Sequence, residues 1–481
     1  MVIERMDVEW QALPNRSAVA AARALLREAT DGAAYRALAA RVKYPVGAML
    51  ISQTMLSFVA TAVLARALGP AGFGNYALVL TIAGIFQLVA AFPVESGVPK
   101  FIAEARQESP ASVRAYYTAG LWCRLASGLV ALACCTVGAG WLSRAYGAET
   151  LRLPVLLAAA SLCLLTPLNQ YLMACIQGME RPRRWATANL LTAALVFPAL
   201  LLGTLGFSRW GQAGLMACIA AGWLGAAVAS GWLARGALGF LWPGGVARQQ
   251  LRQLAPFLLP IWIVPLAGFG ARTLLRLLLA SRSGPVSLGH FEIALVLLGH
   301  LAVLYQACMI VLLPEWARLY AAKNSGELLR SLTRARGVLL GLAAAYGALL
   351  VAGGGWIVPA IFGSEQAGAV SAARVIGLVM PVMIAGWVAS ATNVVSNRTS
   401  IIGKANVVWF ALVVPLGIAL IPRLGALGAA MAWLGAYLVF AWYYVTRARP
   451  FFREVASWAP VGRGRRSQPP ALADARVESE G

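Results

Sequence analysis

Charge is scarce in this chain, and negative charge is scarcest. Of 481 residues 12% are charged, with 18 acidic residues set against 40 Lys and Arg and only two His. So few carboxylates and imidazoles leave little material for a metal centre or a paired general acid and base. The seven Cys (123, 134, 135, 163, 175, 218 and 308) lie in or beside apolar runs without metal-ligand spacing, so they read as small core residues. A Walker loop, a Gly-x-Ser-x-Gly elbow, a His-Glu-x-x-His pair and a Cys-x-x-Cys pair are all missing. Enzymatic activity, a cofactor and a metal are therefore not expected. Strand-type alternation is absent too, which argues against a transmembrane barrel.

What is abundant is apolar surface. Hydrophobic residues make up 60% of the chain and the mean hydropathy is +0.72, whereas soluble domains carry roughly 25% charged residues. A soluble core cannot absorb this much, so much of it must face lipid. Twelve uncharged runs of 18 or more residues occur, at 45–64, 74–94, 125–143, 153–179, 187–208, 210–234, 253–271, 293–314, 337–364, 375–397, 405–422 and 424–446. Each is long enough for a helix that satisfies its own backbone across a ~30 Å hydrocarbon core.

The net charge of +22 would suggest nucleic acid in a soluble chain. Topology accounts for it here, and no nucleic-acid partner is expected. With the N-terminus in the cytoplasm, 30 of the 40 Lys and Arg fall in cytoplasmic segments: seven in 1–44, three in 99–115, three in 180–186, three in 235–252, five in 315–336, two in 397–404 and seven after 446. This is the positive-inside bias, and an even span number returns the C-terminus to the same side. Residues 1–44 are too polar and too long for the n-region of a cleaved signal. They form a basic segment that either lies on the inner leaflet as a helix from about 18 to 42 or stays solvated. Residues 447–481 are expected to be a disordered basic tail.

The chain carries an internal repeat. Gly69-Pro70-Ala71-Gly72-Phe73-Gly74-Asn75-Tyr76 aligns with Gly284-Pro285-Val286-Ser287-Leu288-Gly289-His290-Phe291. Ala188-Asn189 and Ala405-Asn406 are each followed at one spacing by Ala-Leu-Val-x-Pro, ending at Pro198 and Pro415. The expected fold is an all-α polytopic membrane protein of twelve transmembrane helices in two parallel six-helix repeats around a central cavity. The lobes are 45–234 and 253–446, joined by a basic linker at 235–252. The Gly-Pro motif falls between spans 1 and 2 and between 7 and 8, where it reads as a hairpin turn. Pro167, Pro198, Pro260, Pro265, Pro381 and Pro415 and the Gly353-Gly354-Gly355 run interrupt spans, either as static kinks or as bending points.

Charges at membrane depth are the candidate site. Arg272 and Arg276 share a face of span 7. Arg66 ends span 1, Arg124 begins span 3 and Arg374 begins span 10, against Glu95 and Glu292 as the acidic members. A buried ionised side chain costs at least ~2.5–3.5 kcal/mol on insertion scales, so such residues face a bundle interior or water. A cavity lined this way attracts an anion, and guanidinium forks suit phosphate. The alternative is that Arg66, Arg124 and Arg374 snorkel to the headgroups. Gln53, Thr54, Asn169, Gln170, Asn189, His300, Gln306, Asn393 and Asn406 either hydrogen-bond a polar cargo or tie helices together, and His300 either carries a proton or is an interior residue.

Ala65-Arg66-Ala67-Leu68-Gly69-Pro70 to Tyr76, Gly178 to Arg184, Pro314-Glu315, and Leu424-Gly425-Ala426-Leu427-Gly428-Ala429-Ala430 resemble, in order and spacing, the polysaccharide biosynthesis or oligosaccharide flippase family (Wzx-type). That family belongs to a superfamily that includes the multidrug and toxin extruders and the lipid II flippase. The resemblance covers about 45–446. It implies a carrier in the bacterial inner membrane that turns a polyprenyl-pyrophosphate-linked oligosaccharide from the cytoplasmic to the periplasmic face. Membrane lipids and that lipid-linked oligosaccharide would be its partners, with a polysaccharide polymerase and a chain-length regulator as protein partners. An acidic residue expected in the seventh span is not evident around Arg272-Thr273. A cation or drug antiporter and a lipid II flippase are the alternatives on the same scaffold.

Overall fold

The computed structural model describes residues 47–48, 52, 58–90, 92–146, 149–239, 248–396, 398 and 400–458. These are almost wholly helical, with no strand among them. In chain order the helices are α1 (Ala60–Ala90), α2 (Val94–Glu108), α3 (Pro110–Ala145), α4 (Arg152–Ala159), α5 (Thr166–Gly178), α6 (Pro182–Leu205), α7 (Phe207–Leu238), α8 (Arg248–Ala321), α9 (Ser325–Phe362), α10 (Val370–Val395) and α11 (Ser400–Ala456). A π turn (Ala160–Leu165) joins α4 to α5, and 3-10 turns (Glu149–Leu151, Ser364–Ala369) precede α4 and α10. Nine helical stretches among the described residues are long and apolar enough to cross a membrane, so this is a multi-pass membrane protein. Leu129, Val137 and Trp141 of α3 and Trp356 of α9 stand exposed, as lipid-facing side chains must.

Glycine breaks some of these helices. Gly69 (φ 64°, ψ 179°) splits α1 and Gly284 (φ 79°, ψ 171°) splits α8, both at the start of the Gly-Pro motif. Gly211 (φ 57°, ψ −157°) breaks α7 near its start, and Gly425 (φ 55°, ψ −129°) splits α11. A side chain resists positive φ, so each break is written in the sequence as a glycine. Breaks at 69 and 284 fall between the expected runs, and the break at 425 falls just inside the run expected at 424–446. The later break leans on the earlier one in both halves. Gln212 donates to the Gly72 carbonyl at 2.9 Å, and a Cβ on Gly425 would lie 3.4 Å from Ser287 Oγ.

The prolines do less than the sequence suggests. Helices run through Pro198, Pro381 and Pro415. At Pro167 the π turn absorbs the missing donor. Proline frees the carbonyl four residues back, at Cys163. Gly128 of α3 packs against it so closely that an added Cβ would stand 2.7 Å away. Residues 447–456, expected to belong to a tail, are helical instead, because α11 continues through Pro450 to Ala456. Phe451 and Val455, one turn apart, are buried with Trp316, Leu319 and Leu328, and residues from 459 lie outside those described, as does the 1–44 segment.

Helices α1–α7 pack mainly among themselves, as do α8–α11, and the two sets meet chiefly through α1, α2 and α3 on one side and α8 and α9 on the other. The first turns of α8 also reach the first set: Leu254 and Leu258 join the cluster of Val94, Tyr117 and Ile176. The tightest meeting point is the two Gly-Pro turns. A Cβ on Gly74 would lie 2.1 Å from the Pro285 carbonyl oxygen, and one on Gly289 would lie 3.2 Å from the Gly74 nitrogen. Gly74→Ala is predicted to lower the thermal unfolding midpoint of the detergent-purified full chain, by the ~1–3 kcal/mol of an overpacked site. Gly299→Ala, which meets nothing within 4 Å, should leave the midpoint unchanged or slightly raised.

Candidate functional site

The site is built on the seam between α1 and α8. Small residues on one helix accept large ones on the other. Phe269 lies 3.4 Å from the position of a Gly84 Cβ, and His300 stacks edge-on against Phe58 at 4.4 Å between ring centres. The expected charged residues divide into three kinds.

Arg66 and Arg124 act as helix caps. Arg66 reaches across to the last turn of α9, where its Nε donates to the Ile361 carbonyl at 2.8 Å and an Nη to Ala360. Beside it, Gln366 donates to the Ala65 carbonyl at 3.1 Å. Arg124 is 1% exposed and splints the break between α1 and α2. Its guanidinium donates to the carbonyls of Ala90 at 2.6 Å and Phe92 at 2.7 Å and pairs with Glu95. Both satisfy carbonyls left open at helix ends, where a cation also meets the negative end of the helix dipole.

Arg276 is the second kind. It grips Glu292 through both nitrogens of its fork, with Nη2 at 2.7 Å from Oε2, and so ties the two legs of α8 across the Gly284 break. Although Arg272 and Arg276 share a helix face, Arg276 is already neutralised. Glu95 and Glu292, the two acidic members of the candidate set, are thus both held by arginine.

Arg272 and Arg374 are the third kind. Arg272 is exposed and its guanidinium lies 5.6 Å from the Trp433 ring centre, with Tyr437 one helical turn further along α11. Arg374 is exposed and lies against α9, with its Cγ and an Nη 3.6 and 3.5 Å from the Cβ positions of Gly354 and Gly355. The glycine run thus leaves space for an arginine. Neither cation has an acidic partner among the described residues. An exposed guanidinium beside an aromatic face keeps its charge and has donors to offer a phosphate oxygen.

The polar candidates mostly join helices. Asn169 of α5 donates to Thr192 of α6 at 3.2 Å and accepts from Ser230 of α7 at 2.6 Å, a buried three-helix tie. Asn189, Asn393 and Asn406 each donate to a carbonyl one turn back. Gln170 and Gln306 are exposed. Gln53 and Thr54 lie outside the described residues. Sequence reading passed over Trp433 and Tyr437, whose i, i+4 spacing was the available signal, and Thr192 and Ser230, which carry none.

The polysaccharide biosynthesis protein family profile matches residues 46–319. No curated protein matches the chain. Among solved structures, a multidrug resistance MATE family transporter of the MOP superfamily in an inward-facing conformation aligns with TM-score 0.68 and 15% identity, covering 84% of this chain and 95% of that one. The lipid II flippase MurJ aligns with TM-score 0.67 and 10% identity, covering 86% and 90%. A MOP superfamily transporter from Pyrococcus furiosus, described as having a binding pocket of reversed polarity, aligns with TM-score 0.61 and 15% identity over 87% and 96%. At these identities the likeness is one of fold.

The division of the arginines is testable by stability. Arg124→Gln leaves Glu95 and two helix-end carbonyls without their partner, and should lower unfolding stability by on the order of 3 kcal/mol. Arg374→Gln, which removes no bonded partner, should stay within about 0.5 kcal/mol of the parent. Denaturation of both variants in one detergent checks the contrast.

Proposed function

The chain belongs to the polysaccharide biosynthesis protein family, and from that premise we propose that it is a flippase for a polyprenyl-pyrophosphate-linked oligosaccharide. Twelve spans are the count we propose, with a separate span on each side of Gly69, Gly284 and Gly425 in three of the nine apolar stretches. They form two parallel six-helix lobes, α1–α7 and α8–α11 with α2 outside the count, in the bacterial inner membrane with both termini cytoplasmic. The protein moves its cargo to the periplasmic face by alternating access between the lobes and performs no covalent chemistry. It serves a surface polysaccharide such as lipopolysaccharide or exopolysaccharide, alongside a polymerase and a chain-length regulator. Sugar hydroxyls lose water on entering lipid and need replacement partners, whereas the polyprenyl tail does not.

The observation that carries the proposal is Arg272, an exposed cation of α8 with an aromatic bed on α11 and no carboxylate partner among the described residues. It is the group suited to hold the pyrophosphate. A cation antiporter needs a free interior carboxylate. No aspartate occurs between Asp31 and Asp474, and Glu95 and Glu292 are both arginine-bound.

The test is a proteoliposome assay with a fluorescent polyprenyl-pyrophosphate oligosaccharide and a membrane-impermeant quencher. The full chain should make the inner-leaflet pool accessible, and Arg272→Gln should slow this at least tenfold at equal protein incorporation. Uptake of a cationic dye with no lipid movement would instead assign the antiporter reading.

A further inference from the structure

Away from the seam, α6 and α7 flank a half-open cavity of about 390 Å³ lined by Arg184, Trp232, Leu233, Arg235, Gly236 and Gly239. Arg184 sits in the first turn of α6 and Arg235 in the last turn of α7. Both fall in segments that the positive-inside pattern assigns to the cytoplasmic face.

The cavity is cationic and unneutralised. Arg184 Nη1 is buried without a hydrogen-bond partner. Neither arginine has an acidic partner among the described residues, and residues 240–247, which follow in sequence, carry no charge. A buried guanidinium N–H left open is costly and calls for an acceptor. The fold holds it there all the same. Gly236 admits the Arg184 head so closely that an added Cβ would lie 2.8 Å from Nη1. Gly239 (φ 82°) ends α7 in the left-handed region, and no atom of the described residues lies within 4 Å of its Cβ position. The α6 N-terminus adds the positive end of a helix dipole. Trp232 is 71% exposed and gives the cavity an apolar rim of the kind that sits at a headgroup boundary.

We propose that this cavity binds the phosphate of an anionic lipid headgroup in the cytoplasmic leaflet. Arg184 and Arg235 hold the phosphate oxygens while Trp232 and Leu233 meet the first carbons of the lipid. The phosphate can come from bulk phospholipid or from a polyprenyl phosphate arriving at the protein. The inference needs only the membrane reading of the chain and stands apart from the transport proposal.

The test uses the purified full chain in nanodiscs of phosphatidylcholine, with phosphatidylglycerol or undecaprenyl phosphate added in separate arms. The readouts are thermal unfolding and native mass spectrometry of retained lipid. The parent should gain several degrees and retain at least one anionic lipid. Arg184→Gln/Arg235→Gln should lose most of both effects, and Arg184→Lys/Arg235→Lys should keep part of them. An effect from phosphatidylglycerol assigns the site to bulk lipid, and one from undecaprenyl phosphate alone assigns it to the polyprenyl carrier; each upholds the phosphate site. Equal shifts and equal lipid retention in the parent and the Gln variant, or no response to either lipid in the parent, would overturn it. Lipid movement by the parent in the transport assay would be unaffected by that failure.

Discussion

The two helix sets meet where backbone lies on backbone. Gly74 faces the Pro285 carbonyl, and Gly289 faces the Gly74 nitrogen beside the Phe73 ring. Packed interiors have no slack for an added methyl at such a place. The contact sets how close α1 and α8 approach, and with it the positions of Phe58 against His300 and of Phe269 against Gly84. Around it Arg66 and Gln366 link residues some 300 positions apart in sequence. In the proposed transport cycle this contact is the natural pivot, because glycine turns give the lobes a small, smooth bearing surface.

The second constraint is that hydrocarbon tolerates no open backbone group. It explains arginines that a charge count alone would send to a cargo site. Arg124 closes carbonyls at the end of α1, and Arg66 closes those at the end of α9. At Pro167 a π turn takes up the missing donor. Once these structural demands are met, Arg272 and Arg374 are left with exposed, unneutralised heads. Function is read from the charge that remains after the fold has used the rest.

Much of the fold was legible because its signals are local. An uncharged run longer than 18 residues has few ways to exist in lipid, and a Gly-Pro pair marks a turn wherever it lies. The all-helical membrane architecture and the breaks at Gly69 and Gly284 followed from such signals, whereas Gly425, without a proline beside it, lies inside the run expected at 424–446. The site was less legible, because guanidinium chemistry serves caps, ion pairs and ligands alike. Nothing local separates Arg276, held by Glu292 sixteen residues away, from Arg272, which shares its helix face. The α11 extension to Ala456 was hidden by Pro450, since its support comes from Trp316 and Leu328 on other helices.

The most direct measurement is of distance between the lobes at both membrane faces. In a cysteine-free background, spin labels at Leu205 and Trp356 report one face and labels at Gln107 and Arg330 the other; all four positions are exposed. Pulsed electron paramagnetic resonance in nanodiscs would be recorded with and without lipid-linked oligosaccharide. Rocking about the glycine turns predicts that the cargo lengthens one distance distribution and shortens the other. Two distributions that stay fixed, or that move in the same sense, would contradict it.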